Sequence, residues 1–266
     1  MSRPDPFLNL LKDIGYLPLR LPRADVQPLQ LLNVSGKEFT LLGDVADAMS
    51  PSNGATLPPI KPDITTAGAI QGTHSSTVQL SIGLNILGNI LGALTGNNLD
   101  VSAGFKNAST ITFEFADVTV SNVSIILLDQ FLNLATINSV SKQIQDLMLA
   151  GNAGVTTSVA RTKKYIVSAQ DNHGVDVHAD VPVIKGIAGG KVDVSTAGNN
   201  NNKVVFDGAS PITFGVQAVR LSFDDKGHIS AIDPFGVGSG AVRGLEISDK
   251  GAPNLISVEG IFVDIS

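Results

Sequence analysis

Two alternating runs joined by a tight turn constrain this chain most. Tyr165, Val167 and Ala169 alternate with Ile166, Ser168 and Gln170. Asp171-Asn172-His173-Gly174 supplies a turn, and Val175, Val177, Ala179, Val181 and Val183 then alternate with Asp176, His178, Asp180 and Pro182. Successive side chains on a strand point to opposite faces, so each run reads as a half-buried strand and the pair as an antiparallel hairpin. The second run is nine residues long, about the length a tilted strand needs to cross a bilayer.

A further stretch satisfies two periods at once. Val78, Leu80, Ile82, Leu84 and Ile86 alternate as in a strand, while Leu80, Leu84, Leu87, Leu91 and Leu94 fall at helical spacing. Both readings stay open. A turn at Gly96-Asn97-Asn98 leads to Ile111, Phe113 and Phe115, which alternate in a strand able to pair with the first. Elsewhere the pattern predicts a short helix from Asp5 to Gly15 and an extended piece over Tyr16–Leu21. A helix near Asp25–Leu32, a strand over Glu38–Leu42 and a proline-rich loop over 50–63 follow. A long helix is expected from Asp129 to Leu149, then strands at Lys203–Phe206, Ile212–Phe223 and His228–Ile232, and a glycine-rich linker over 236–244.

Composition removes several classes of function. The chain has no cysteine, which excludes disulfides, thiolate catalysis and cysteine zinc sites and suits a reducing cytoplasm. A net charge of −6 without a basic block argues against nucleic acid. The first residues lack the order of a secretory signal, and no run of about 18 apolar residues provides a spanning helix. Asp176, His178 and Asp180 share one face of a strand beside His173, but a solvated face opposite five apolar residues explains them without a metal. Gly236, Gly238 and Ala241 fit a loose dinucleotide pattern with no βαβ unit around it, so they read as linker. No catalytic residue, metal ligand or cofactor is expected, and the chain is not expected to be an enzyme.

The run Gly15-Tyr16-Leu17-Pro18-Leu19-Arg20-Leu21-Pro22-Arg23, with Pro28-Leu29-Gln30-Leu31-Leu32 and Phe39-Thr40-Leu41-Leu42-Gly43-Asp44-Val45, resembles the opening of gasdermin pore-forming domains, the bacterial ones most of all. Arg161-Thr162-Lys163-Lys164, Asp180-Val181-Pro182, Gly189-Gly190 and the run Pro211 to Leu221 continue the resemblance over most of the chain. It implies an α+β fold, a twisted and mostly antiparallel central sheet with peripheral helices, and a short C-terminal inhibitory tail. It also implies removal of that tail by a partner protease, assembly of monomers into a β-barrel pore in the inner membrane, and antiviral defence through death of the cell. The acylated cysteine near the start of bacterial gasdermins has no counterpart here, where the sequence begins Met1-Ser2-Arg3-Pro4.

Within that frame residues 1–243 are the expected pore-forming domain and 244–266 the tail. Val78, Leu80, Ile82, Leu84, Ile111, Phe113, Phe115, Val175, Val177, Ala179, Val181 and Val183 are the expected membrane-inserting residues, since two amphipathic hairpins per subunit can close a barrel that satisfies every backbone group. Lys12, Arg20, Arg23, Lys163 and Lys164 are expected to face anionic lipid. Cleavage is expected at Arg243, Gly244 and Leu245, and Leu255, Ile256, Ile261 and Phe262 give the tail its apolar docking surface. The alternative is a β-rich structural or binding module without pore activity.

Overall fold

The computed structural model describes residues 11, 15–23, 25–35, 38–52, 54–67, 70–75, 108–138, 142–177, 194–200, 203–224, 228–235 and 255–257. Its strands are β1 (Leu17–Arg23), β2 (Gln30–Ser35), β3 (Glu38–Asp44), β4 (Met49–Pro51), β5 (Lys61–Ala67), β6 (Ile70–Ser75) and β7 (Thr110–Ala116). They continue with β8 (Val118–Asn122), β9 (Ala135–Ile137), β10 (Ala153–Gln170), β11 (Val194–Asn200), β12 (Lys203–Phe223), β13 (Ile229–Pro234) and β14 (Leu255–Ser257). The helices are α1 (Val45–Ala48), α2 (Ile125–Leu134) and α3 (Lys142–Leu149).

A long antiparallel ribbon of β10 and β12 organises the sheet, with other strands added along both of its edges. Along β12 the outer neighbours are β11, β1 and β13 in turn, and along β10 they are β7, β8 and β2. Alternation divides the buried side chains between two cores. Ala153, Val155, Val219 and Leu221 face Leu128, Phe131, Leu132 and Met148 of α2 and α3, whereas Val159, Val216 and Ala218 face Leu17, Leu19, Leu32, Val34 and Phe39. The ladder around this second core returns on itself, since β12 pairs with β1, β1 with β14, β14 with β3, β3 with β2, β2 with β10, and β10 with β12. The central sheet is thus mostly antiparallel, as expected, and β14 is the parallel member of a six-stranded ring.

Four expectations need correction. The segment Asp25–Leu32 is a turn followed by β2, not a helix. Leu29 takes a φ of 66°, which ends any helix, and its N–H donates to the Thr156 carbonyl, so the backbone is committed to the sheet. Leu31 and Leu32 then serve opposite faces of a strand, one in each core.

The helix expected over Asp129–Leu149 is two helices. The first starts four residues earlier, where the Ser124 side chain caps the N–H of Leu127, and it ends where Ala135–Ile137 leaves to pair with Met49–Pro51. Asp129 lies inside this helix, its carboxylate accepting from the Asn133 amide at 3.0 Å. Gly151, at φ 69°, closes α3 as expected.

The proline loop is shorter than the sequence suggests, because Pro51 and Pro62 both sit in strands. Each strand has a single paired neighbour, an edge position where a missing N–H is tolerated.

Of the hairpin read over 165–183, the described residues show pairing at the turn. Gln170 bridges Asp176 and the Val177 N–H donates to Ala169 O at 2.8 Å. Below that, Lys164–Ser168 has β7 on one edge and β12 on the other, so neither edge is open to 178–183, which lie outside the described residues. The stretches 77–94, 96–98 and 236–244 and most of the expected first helix also lie outside them.

Candidate functional site

Two regions gather the residues singled out by the sequence. The first is the seat of the tail. Ile256 stands in register with Leu19 on one side and Phe39 on the other, flanked by Leu255↔Glu38 and Ser257↔Thr40. Leu19 and Phe39 are fully buried members of the ring's core. Phe39 also meets Phe235 edge to face, with ring centroids 4.9 Å apart, and Arg220 caps the Phe235 ring at 5.2 Å. Phe235 therefore lies beside Phe39, and Leu255–Ser257, the next described residues, pair with the strand that carries Phe39. Arg243, Gly244, Leu245, Ile261 and Phe262 lie outside the described residues.

The second region is the distal end of the sheet, built from β6, β7, β11, the Lys164–Gln170 part of β10 and the Lys203–Asp207 part of β12. Of the expected membrane-inserting residues, Phe115 is buried and stacks on Phe214, with centroids 4.0 Å apart and planes within 11°. Ile111 and Phe113 lie on the same strand, β7. Val175 is 61% exposed just past the turn and Val177 is half-buried. Val78, Leu80, Ile82, Leu84, Ala179, Val181 and Val183 lie outside the described residues. The turn is held by Asp171, whose carboxylate accepts the N–H groups of Val175 at 2.9 Å and His173 at 2.8 Å. Those bonds pull its pKa below the usual carboxylate value.

The described members of the basic set fall on two strands. Lys163 is exposed and Lys164 half-buried on β10, Arg20 and Arg23 belong to β1, and Lys12 lies outside the described residues. Arg161 turns inward instead. Its guanidinium donates to Ser121 Oγ at 2.9 Å and to the Val26 carbonyl at 2.6 Å, and partial burial lowers its pKa. No group of three or more histidine, cysteine, aspartate or glutamate side chains suited to a metal occurs among the described residues. Leu19, Phe39, Phe214 and Phe235 carry no site signal in the sequence, because buried apolar residues read there only as core. Only their cross-strand neighbours distinguish them.

Comparison with known proteins places this architecture. The profile of the Bacterial Gasdermin Family matches residues 19–228. A gasdermin, bGSDM, of a Desulfuromonadales bacterium is 37% identical over 262 residues, 98% of each chain. Another from Lysobacter enzymogenes is 32% identical over 263 residues, covering 98% of this chain and 97% of its own. The structure of a bacterial gasdermin from Bradyrhizobium tropiciagri shares the fold, with a TM-score of 0.56 at 17% identity over 89% of this chain and 94% of that one. A profile reaching from within β1 to the residue before β13, and relatives alike along almost the whole length, make this chain a member of the bacterial gasdermins, a family of pore-forming proteins that associate with membranes when they form pores.

Proposed function

We propose that this protein is a pore-former held inactive by its own C-terminal segment, and that a partner protease activates it by cutting between residues 236 and 246. The observation that carries this reading is the position of β14, a parallel strand between β1 and β3 that completes the ring around a buried core. A strand seated on two edges is removable only if its tether is cut, since the intramolecular arrangement gives it a high effective concentration. Residues 244–266 carry Glu246, Asp249, Glu259 and Asp264 against Lys250, or −3 of the chain's −6, so their loss also weakens repulsion from anionic lipid. The released body assembles with its copies, its hairpins close a β-barrel in the inner membrane, and the leak kills the cell. Death of an infected cell is how such a pore serves antiviral defence.

The test is a site-specific protease sequence placed between Gly238 and Gly244. Liposome leakage should then require that protease, with intact protein inert at the same concentration. Intact protein that permeabilises liposomes as fast as the cut form would overturn tail inhibition and leave pore formation under another trigger.

A further inference from the structure

Among the sheet's register breaks, those between β10 and β12 after Thr162 and between β5 and β8 after Asp63 fall at one level across adjacent strands. On β10 and β12, Thr162↔Ile212 is followed by Lys164↔Asp207, so five steps on β12 oppose two on β10. The surplus runs over 208–211 and ends at Pro211, which has no N–H to give a ladder. On the other edge of β10, Arg161 pairs with Thr119 of β8 and Lys164 with Ala116 of β7. The change of strand falls at Asp117, whose φ is 53°. One strand further out, β5 takes four steps from Asp63 to Ala67 against two on β8, and β6 takes over beside β7 from Ile70↔Phe115. Bulges are where strands bend. Here they align into one transverse line, with the ring and helices below it and the distal strands above.

Contacts of Thr162 and of Phe115 bind the parts together along this line. The buried Thr162 hydroxyl accepts the Lys164 N–H at 2.9 Å and has two carbonyls to donate to, that of Lys164 at 2.7 Å and that of Ala116. It staples the bulge and reaches across to β7. Phe115, above the line, stacks on Phe214, below it. Among the described residues the Arg161 guanidinium is anchored to Ser121 and Val26, both on the lower side.

We infer that this line is a hinge, and that the Phe115–Phe214 stack is the latch holding the distal strands in their soluble position. The inference rests on the proposed function, in which the distal strands become barrel strands. Swinging them out separates the two rings and frees the Phe115 side chain for lipid, while erasing the bulge costs the Thr162 bonds.

Because the chain has no cysteine, a Phe115→Cys, Phe214→Cys pair can be joined uniquely by a short bis-methanethiosulfonate, each end of which forms a reducible disulfide with one cysteine and expels methanesulfinate, in the protein carrying the protease sequence. Cut and cross-linked, it should release its tail yet not leak, and reduction should restore leakage to the level of the same pair never cross-linked. Leakage by the cross-linked form at the uncross-linked rate overturns the latch. A pair that leaks under neither condition, although the unmutated cut protein leaks, also overturns it, because the stack is then required for the pore itself. If the unmutated cut protein does not leak, the pore reading fails and the latch with it. As a second arm, Thr162→Val should leak about fivefold faster once cut, the factor that one net hydrogen bond is worth. Thr162→Ser should keep the native rate, and a folded Thr162→Val protein leaking no faster than native overturns the staple.

Discussion

At the scale of single residues, Gly154 is a position where a side chain does not fit. A Cβ there would lie 2.7 Å from the Phe235 ring and 3.1 Å from the Val219 carbonyl oxygen. Phe235 is buried against Phe39 and cannot swing aside, so Gly154→Ala should cost about 1–3 kcal/mol, as overpacking does. The urea midpoint measures this, and on a Phe235→Leu background the same change should cost less; equal costs would show that the ring is not the obstacle. Asp171 acts by charge rather than by shape. Its folded-state pKa is depressed, first by the Val175 N–H and then by that of His173, so its contribution to the turn is complete above the unfolded carboxylate pKa and is lost as pH falls through the lower, folded value. Amide exchange at His173 and Val175 should therefore lose protection on acidification. In Asp171→Ala it should already be unprotected at neutral pH, and pH-independent protection in the native chain would contradict the assignment.

At the scale of elements, legibility followed from how far each segment's structure depends on its own residues. Alternation at Val167 and Ala169 against Ser168 and Gln170 identified a strand because one face of it is buried and the other is not. It could not identify the partner, and a turn at Asp171–Gly174 made the following residues the obvious one, whereas β7 and β12 hold both edges. The gap read between Phe206 and Ile212 is the bulge over 208–211, so the sequence signal was correct in place and incomplete in meaning. Failure came where distant chain decides. The helix read over Asp25–Leu32 is overruled by Thr156, more than a hundred residues away, whose carbonyl and hydroxyl take the backbone N–H groups of Leu29 and Gln30. The run from Asp129 likewise breaks at Ala135 because Met49–Pro51 offers a strand edge. As for the site, the sequence marks 255–257 as apolar but carries no signal for where they pair, because among the described strands β1 and β3 are joined through β14 alone.

At the scale of the molecule, the proposed inhibition by the C-terminal segment would make stability and activation one equilibrium through the ring. With β14 removed, β1 and β3 each present an unpaired edge where a strand had been, and the core that includes Leu19 and Phe39 loses the segment between them. Collapse onto a smaller ring is opposed by a core already packed with buried side chains, so the open seat persists until it is refilled or the body assembles. Tail binding must then stabilise the cut body by mass action, by about 2.7 kcal/mol when free peptide stands at a hundred times its dissociation constant. A peptide of residues 244–266 added to cut protein, freed of its own tail and kept away from lipid, should raise the urea midpoint saturably and slow leakage over the same concentration range. The peptide carrying Ile256→Asp should do neither, because a carboxylate would stand at the register position between Leu19 and Phe39. Agreement between the two titrations is the decisive feature. If the native peptide raises the midpoint without slowing leakage, occupancy of the seat is structural only, and the tail must inhibit through contacts outside β14.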